Sequence, residues 1–461
     1  MAEIDGKRRF MRSSDAFSWS MEADPRLRST IVTLVVTERS PDWDAVVHRF
    51  DLLTRTVPSF RWRVLESPPP APPRWETDPD FDLNFHVRRL SAGPDGMAGV
   101  LQMCRVAAME SFDLARPLWQ VEMVDGLPGG AAAMIVKLHH ALTDGVGGVQ
   151  LAMTLFELAP EGYRPELPDV PSLRQPTRWD DLRDGVRYNS KLARRLATGA
   201  VRTAPRALGA LVRNPVSAVR EAAATGASVY RTVRPVMKTG SALMTERSLV
   251  RAVSTHTVSL PRLRSAAHAV DVALNDAFVA GVAGGLRRYH ERHGVSVDEL
   301  HLTMPISLRT DDDGPGGNRI TLQRFDIPVG EADPALRMVE IHRRVAQVRA
   351  ERSLPLTQLI AGALNLLPRF VLGEVLLHVD VLASDVPGVP VPVYLGGAAV
   401  TEQYAFGPTI GSAVNVTLLS YVDTCAFGVD VDTAAISDPE VFHACLVEGF
   451  DEVLALGQPP A

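Results

Sequence analysis

Ala131-Ala132-Ala133-Met134-Ile135-Val136-Lys137-Leu138-His139-His140-Ala141-Leu142-Thr143-Asp144-Gly145 is the stretch whose reading decides the fold. Residues 131–138 are apolar except for Lys137, as in a buried strand. Two imidazoles close the run. Gly145-Val146-Gly147-Gly148 follows and leads into an apolar helical pattern. The expected order is strand, imidazole pair, tight turn, helix. Neighbouring side chains on a strand point to opposite faces, so His139 and His140 cannot face one substrate together. One is expected to face a cleft and the other to pack inward.

Three roles compete for such a pair. Both histidines can be satisfied core residues beside a helix cap. A metal site is disfavoured, because adjacent strand residues diverge and no third ligand lies at helical spacing. A general base needs one ring held by its second nitrogen at the end of a rigid element, which strand–turn–helix supplies. Asp144, just past the turn, either orients a histidine directly or fixes the loop by pairing with an arginine. Gly145 lets the backbone turn where a Cβ would clash.

The pattern His-His-x-x-x-Asp-Gly over residues 139–145 resembles the signature of the CoA-dependent acyltransferase superfamily, which includes peptide-synthetase condensation domains. Further segments resemble the bacterial wax ester synthase/diacylglycerol acyltransferase family. These are Ser14-Asp15-Ala16-Phe17, Pro117-Leu118-Trp119, Asn275-Asp276, and Pro305-Ile306-Ser307-Leu308-Arg309 with Gly317-Asn318. Val386-Pro387-Gly388 with Val391-Pro392-Val393-Tyr394-Leu395 completes the set, in family order over nearly the whole chain. Two segments depart from the pattern. Ser384-Asp385 stands where the family usually has Asn before Val-Pro-Gly, and a late Ser-Tyr-Asp-Gly-like element reads Ser420-Tyr421-Val422-Asp423.

The resemblance implies an α/β (α+β) fold of two chloramphenicol-acetyltransferase-like sandwich domains with a tunnel at their interface. The expected division is an N-terminal acyltransferase domain at 1–173, a basic helical linker at 174–251 and a C-terminal acyltransferase-like domain at 252–461. It makes His140 the general base and gives His139 the task of holding the strand end. Asp144 then keeps the loop in place. In related condensation domains an arginine after a similar helix anchors the motif aspartate, so Arg61 is the candidate partner. The Pro117-Leu118-Trp119 element is expected to shape the channel, with Trp119 as a core plug the plainer alternative. Asn275 and Asp276 suit the positive end of a helix dipole and read as structural, with Asn275 as the cap. Ser307, Asn275 and Asn318 are candidate oxyanion donors, and Arg309 belongs to the same substrate-binding or structural group.

The implied reaction moves a long fatty acyl chain from acyl-CoA to diacylglycerol or a long-chain alcohol. It needs no acyl-enzyme and no cofactor beyond acyl-CoA as co-substrate. Two alternatives stay open: a carrier-protein-dependent acyltransferase of complex lipid assembly, and a non-catalytic lipid-binding scaffold.

The composition sets wide bounds. At 461 residues the chain is long enough for two or three domain-sized cores. A net charge of −6 and scarce aromatics give no sign of nucleic-acid binding. Cys104, Cys425 and Cys445 are too few and too far apart for a disulfide framework, and read as buried thiols of a reducing compartment. Residues 1–12 are charged and lack the apolar core of a secretory leader. The longest apolar region, 354–382, is broken by Asn365, Pro368, Arg369, Glu374 and Asp380. A cytoplasmic protein is expected, with peripheral attachment to the inner membrane or a lipid body. Residues 174–251 carry 14 Arg and two Lys against five acids, a net +11, leaving −17 elsewhere. With apolar residues at helical spacing, this segment reads either as a membrane-surface binder or as a solvated connector.

Periodicity predicts strands at 29–36, 58–64, 120–124, 253–260 and 301–306. It predicts helices at 43–56, 97–110, 277–286, 333–352 and 439–456.

Overall fold

A computed structural model describes residues 9–67, 71–142, 145–161, 164–170, 183–190, 194, 238–307, 320–350 and 378–457. Two six-stranded mixed sheets carry the molecule, with a small third sheet beside them. In the first, β2 (Thr30–Thr37) and β6 (Trp119–Asp125) flank β7 (Ala132–His139), both antiparallel to it. β5 (Val87–Ser91) runs parallel to β6 at one edge. Because β7 is central, both its faces are buried, which explains its nearly continuous apolar run.

The helix α1 (Ser13–Met21) precedes β2. Helix α2 (Trp43–Thr56) is capped by the Asp42 side chain, which accepts the Ala45 N–H at 2.8 Å. Val46, Phe50 and Leu53 on its inner stripe pack with Trp119 and Val121. On the other face of the sheet lies α4 (Met97–Met109); Val100, Cys104 and Ala107 pack against Val32, Leu34 and Ile135. The chain leaves β7 through residues 140–144 and enters α5 (Gly145–Leu155). A four-residue helix, α3 (Leu83–His86), precedes β5.

The second sheet is built from β8 (Arg251–Ser259), β9 (Glu299–Ser307), β10 (Ile320–Pro328), β11 (Val381–Val386), β14 (Val414–Tyr421) and β15 (Thr424–Asp432), in the order β10-β9-β11-β14-β15-β8. Four helices cover one face: α6 (Leu260–Ala269), α7 (Leu274–Arg292), α8 (Pro334–Arg349) and α9 (Pro439–Ala455). α7 and α9 approach until a Cβ on Gly449 would meet the Gly285 nitrogen at 2.3 Å. Asp333 caps α8 with Pro334 at its first position, as the sequence predicts.

The expected division at residue 252 is not a clean one. β12 (Tyr394–Leu395) and β13 (Ala398–Phe406) belong by sequence to the C-terminal domain, yet they complete the N-terminal sheet, where β13 pairs antiparallel with β2. This exchange brings Tyr404 and Phe406 into one core with Val32, Val124 and Ala426, joining the two halves. The linker expected at 174–251 and the apolar region 354–382 lie largely outside the described residues.

Among the described residues no single helix is long and apolar enough to cross a membrane. The pair α6 and α7, bent by 95°, passes by length and composition. Leu263, Phe278, Val282 and Leu286 of that pair are instead sealed in the core of the second half. The three cysteines are buried, and burial holds the Cys104 and Cys425 thiols up at about 12.

Candidate active site

The histidine pair stands at the end of β7, held by both neighbouring chains. The His139 N–H donates to the Leu118 carbonyl at 3.0 Å, just before β6 begins. The His140 N–H donates to the Ser29 carbonyl at 2.8 Å, just before β2 begins. These bonds fix the backbone of two adjacent residues at the strand end.

The inward ring is His139, with 0% exposure. It lies edge-on to Trp19 and Phe112, at centroid distances of 5.8 and 6.0 Å. Its Nδ1 accepts the Ala141 N–H at 3.0 Å. That bond leaves the proton on Nε2, which faces Glu22 Oε1 at 3.5 Å. The contact is long for a hydrogen bond, so its attraction is mainly electrostatic. Burial works against the Glu22 charge, but His139, the Ser29 N–H and Arg28 prevail and hold its carboxyl below the usual range. His140 is half-buried and lies past the last strand residue. A sealed ring and a partly open one are what the alternation of a strand predicts.

Lys137, two residues before His139 on the same face of β7, is buried with it. Its amine reaches Glu110 at 3.2 Å and lies over the Phe112 ring at 4.6 Å. Burial pushes its ammonium below the usual lysine range, and Glu110 opposes that shift.

Pro117-Leu118-Trp119 is part of the packing, not of a channel wall. Trp119 is wholly buried, stacked on His86 at 4.4 Å, and donates its indole N–H to the Phe60 carbonyl at 2.8 Å. This corrects the expected channel-shaping role: four rings, Phe50, Phe60, Phe81 and His86, close around it. Leu118 packs with Trp19 and Phe112, so the element supports the His139 ring from behind.

Arg61 has partners on its own side of the sheet, and its expected partner Asp144 lies outside the described residues. Arg61 bonds Asp51 at 3.2 Å and the Thr54 hydroxyl at 3.0 Å, and lies over Phe81 at 4.5 Å. Thr143 and Asp144 lie outside the described residues, and Gly145 is the first residue of α5.

Asn275 is not the cap of its helix. The N-cap is Ala273, and Asp276 reaches back to accept the Ala273 N–H at 3.0 Å while pairing with His342 at 2.7 Å. Asp276 therefore does the capping from three residues into the turn. The Asn275 side-chain nitrogen is buried and has no hydrogen-bond partner among the described residues. Ser307 ends β9, whereas Arg309 and Asn318 lie outside the described residues.

Sequence reasoning missed Glu22. It sits at the end of α1, with no motif or spacing tying it to the histidines; the contact exists only after β2 and β7 pair.

This is a two-sheet fold of the condensation-domain type. The chain aligns over 98% of its length with the whole wax ester synthase/diacylglycerol acyltransferase of Marinobacter aquaeolei VT8, with a TM-score of 0.62 at 19% identity. The first condensation domain of the calcium-dependent antibiotic synthetase matches 99% of the chain, over 97% of its own, with a TM-score of 0.62 at 16% identity. Residues 11–278 match the wax ester synthase/diacylglycerol acyltransferase catalytic domain, and residues 316–453 match the WS/DGAT C-terminal domain. Among sequence relatives, a Mycobacterium tuberculosis protein provisionally named a diacylglycerol O-acyltransferase is 36% identical over 95% of this chain and 90% of its own length. A second from that organism, named in the same way, is 30% identical over 91% of this chain and 90% of its own. The chain belongs to the wax ester synthase/diacylglycerol acyltransferase family of acyltransferases.

Proposed function

We propose that this protein transfers a long fatty acyl chain from acyl-CoA to the hydroxyl of diacylglycerol or a long-chain alcohol, with His140 as general base. The observation that carries the reading is the division of the pair: His139 is sealed, with Nδ1 accepting the Ala141 N–H and Nε2 facing Glu22 at 3.5 Å, while His140 is partly open. An alcohol attacks poorly unless its proton leaves as the new bond forms. His140 takes that proton while the oxygen adds to the thioester carbonyl. The tetrahedral intermediate collapses, the C–S bond breaks, and the proton returns from His140 to the departing thiolate. A positioned base supplies about 10²–10⁴-fold. Holding both substrates together supplies ~7–11 kcal/mol more. No step calls for a cofactor or an acylated side chain.

Asp144 and Gly145 are assigned to the loop after the base. Ser307, Asn275 and Asn318 remain the candidates for binding the oxyanion, with Arg309 beside them in the motif. The buried amide nitrogen of Asn275, without a hydrogen-bond partner among the described residues, supports its candidacy. A bound water or a substrate oxygen would satisfy that donor. Attachment to a lipid surface is assigned to the basic segment 174–251, through its +11 charge.

The test offers labelled long-chain acyl-CoA with diacylglycerol and a long-chain alcohol together. Labelled triacylglycerol or wax ester should form, and His140→Ala should remove it. Turnover surviving in that variant eliminates His140 as base. Transfer only from an acyl carrier protein would select the carrier-dependent alternative. Binding of lipid with no turnover on any donor would select the scaffold.

A further inference from the structure

We infer that Glu22 is the positioning residue of the histidine pair, an inference that rests on the acyl-transfer reading above. Its carboxylate is tied to both histidines by separate routes. Oε1 faces the protonated Nε2 of His139 at 3.5 Å and also accepts the Ser29 N–H at 2.7 Å. The Ser29 carbonyl in turn accepts the His140 N–H at 2.8 Å. Oε2 is held by Arg28 at 3.3 Å. On the far side of the His139 ring, Nδ1 accepts the N–H of Ala141, the residue that follows His140.

His140 is thus clamped at both of its peptide bonds. Its own N–H is held through Ser29, and the next N–H is held through the His139 ring. Both holds converge on one carboxylate. Turning the His139 ring over would break the Ala141 bond and point the Nε2 proton away from Glu22. A negative charge at Glu22 therefore selects one ring orientation and one tautomer, and with them the backbone position of the base. The charge is retained in a half-buried place because His139, the Ser29 N–H and Arg28 outweigh the cost of burial. Glu22 touches no substrate; it acts through His139 and Ser29.

The test is Glu22→Gln, which keeps the shape and one acceptor oxygen but removes the charge. A displaced base costs about 10²-fold in kcat, with KM for acyl-CoA unchanged. The direct readout is the imidazole nitrogen NMR spectrum of histidine-labelled protein, with the His139 signals assigned by their loss in His139→Gln. The wild type should show a single form with the proton on Nε2, and Glu22→Gln a mixture of forms. Glu22→Asp, which keeps the charge on a shorter arm, should restore part of both. Wild-type kcat in Glu22→Gln overturns the inference, and so does a fall in kcat with unchanged His139 signals. If Glu22→Gln does not fold, Glu22→Ala with wild-type kcat and an unaltered His139 spectrum overturns it equally. Should the wild type transfer no acyl group from any donor, the reaction reading falls, while the spectra still decide the role of Glu22.

Discussion

Arg49 and Glu157 meet at 3.0 Å as a buried ion pair that ties α2 to the chain just beyond α5. Glu157 also exchanges both backbone bonds with Tyr394 at 2.8 Å, and its carboxylate accepts the Gly397 N–H at 3.3 Å. One acidic residue therefore joins the helix after the histidines to the crossover segment from the second half. Removing Arg49 leaves a buried carboxylate without its counter-charge. Arg49→Ala is expected to cost about 3–5 kcal/mol in denaturant unfolding. The double change Arg49→Met with Glu157→Leu should cost less than the two single truncations added together. Strictly additive losses would show that the two residues do not act as a pair.

Trp119 makes a contrasting case, where stability and chemistry separate. Its indole fills the space between β6, α2 and α3, with Phe50, Phe60, Phe81 and His86 against it. Trp119→Ala is expected to lose about 3–5 kcal/mol of stability. Trp119→Phe should lose less, forfeiting mainly the bond to Phe60. Thermal unfolding measured beside specific activity separates the roles: His140→Ala should show the reverse pattern, an unchanged Tm with activity gone. A Trp119→Ala protein with native Tm and no turnover would falsify the packing assignment.

Asp385 supplies a pH-dependent prediction. Burial pushes its carboxyl up to about 6. Among the described residues no charge partner offsets that burial, and the residue as a whole is half-buried. A raised carboxyl means that the folded protein favours the protonated form. Folding is therefore unpenalised below the unfolded-state value near 4. The penalty grows as pH rises towards 6, and is constant above it. Asp385→Asn removes the ionisable group, and asparagine is what the family usually carries before Val-Pro-Gly. The variant should match the wild type near pH 4. Above pH 6 it should be more stable by at most about 3 kcal/mol, less whatever solvent screening removes. Urea unfolding at the two pH values checks it; an equal difference at both would mean that ionisation plays no part.

Local physics made most single elements legible. The apolar run at 131–138, the stripe at Val46, Phe50 and Leu53, and the Asp333-Pro334 start each report a neighbour a few residues away, and each became the expected strand, helix or cap. The difference in burial between His139 and His140 is in line with the same local rule. What failed to show was contact between distant segments. β13 crosses to β2 from the other end of the chain, and nothing in residues 398–406 marks which sheet they join. Glu22 meets His139 only through that sheet. Asn275 misled because a polar residue before an apolar helix reads as a cap, whereas Asp276 reaching back to Ala273 does that work one position later. Trp119 was legible as a core plug, but a motif tryptophan beside a catalytic strand also suggested a channel, and only the surrounding rings decide between the two.

The Val-Pro-Gly element invites a functional reading, yet Gly388 is held by packing. A Cβ there would lie 1.7 Å from the Ser420 carbonyl oxygen and 2.9 Å from its carbon. Both are backbone atoms, so no rotamer change can relieve the clash. The strand β14 would have to move, and Tyr421 with it, although its hydroxyl accepts the Val393 N–H at 3.1 Å and donates to the Val400 carbonyl at 3.0 Å. Gly388→Ala is expected to cost at least the ~1–3 kcal/mol typical of overpacking. Ser420→Ala, which removes only the hydroxyl that accepts the Gly388 N–H at 3.1 Å, should cost about 1 kcal/mol. Unfolding curves of the two variants measure both. If Gly388→Ala proved no more costly than Ser420→Ala, the close approach of the two chains would not be what excludes a side chain at this position.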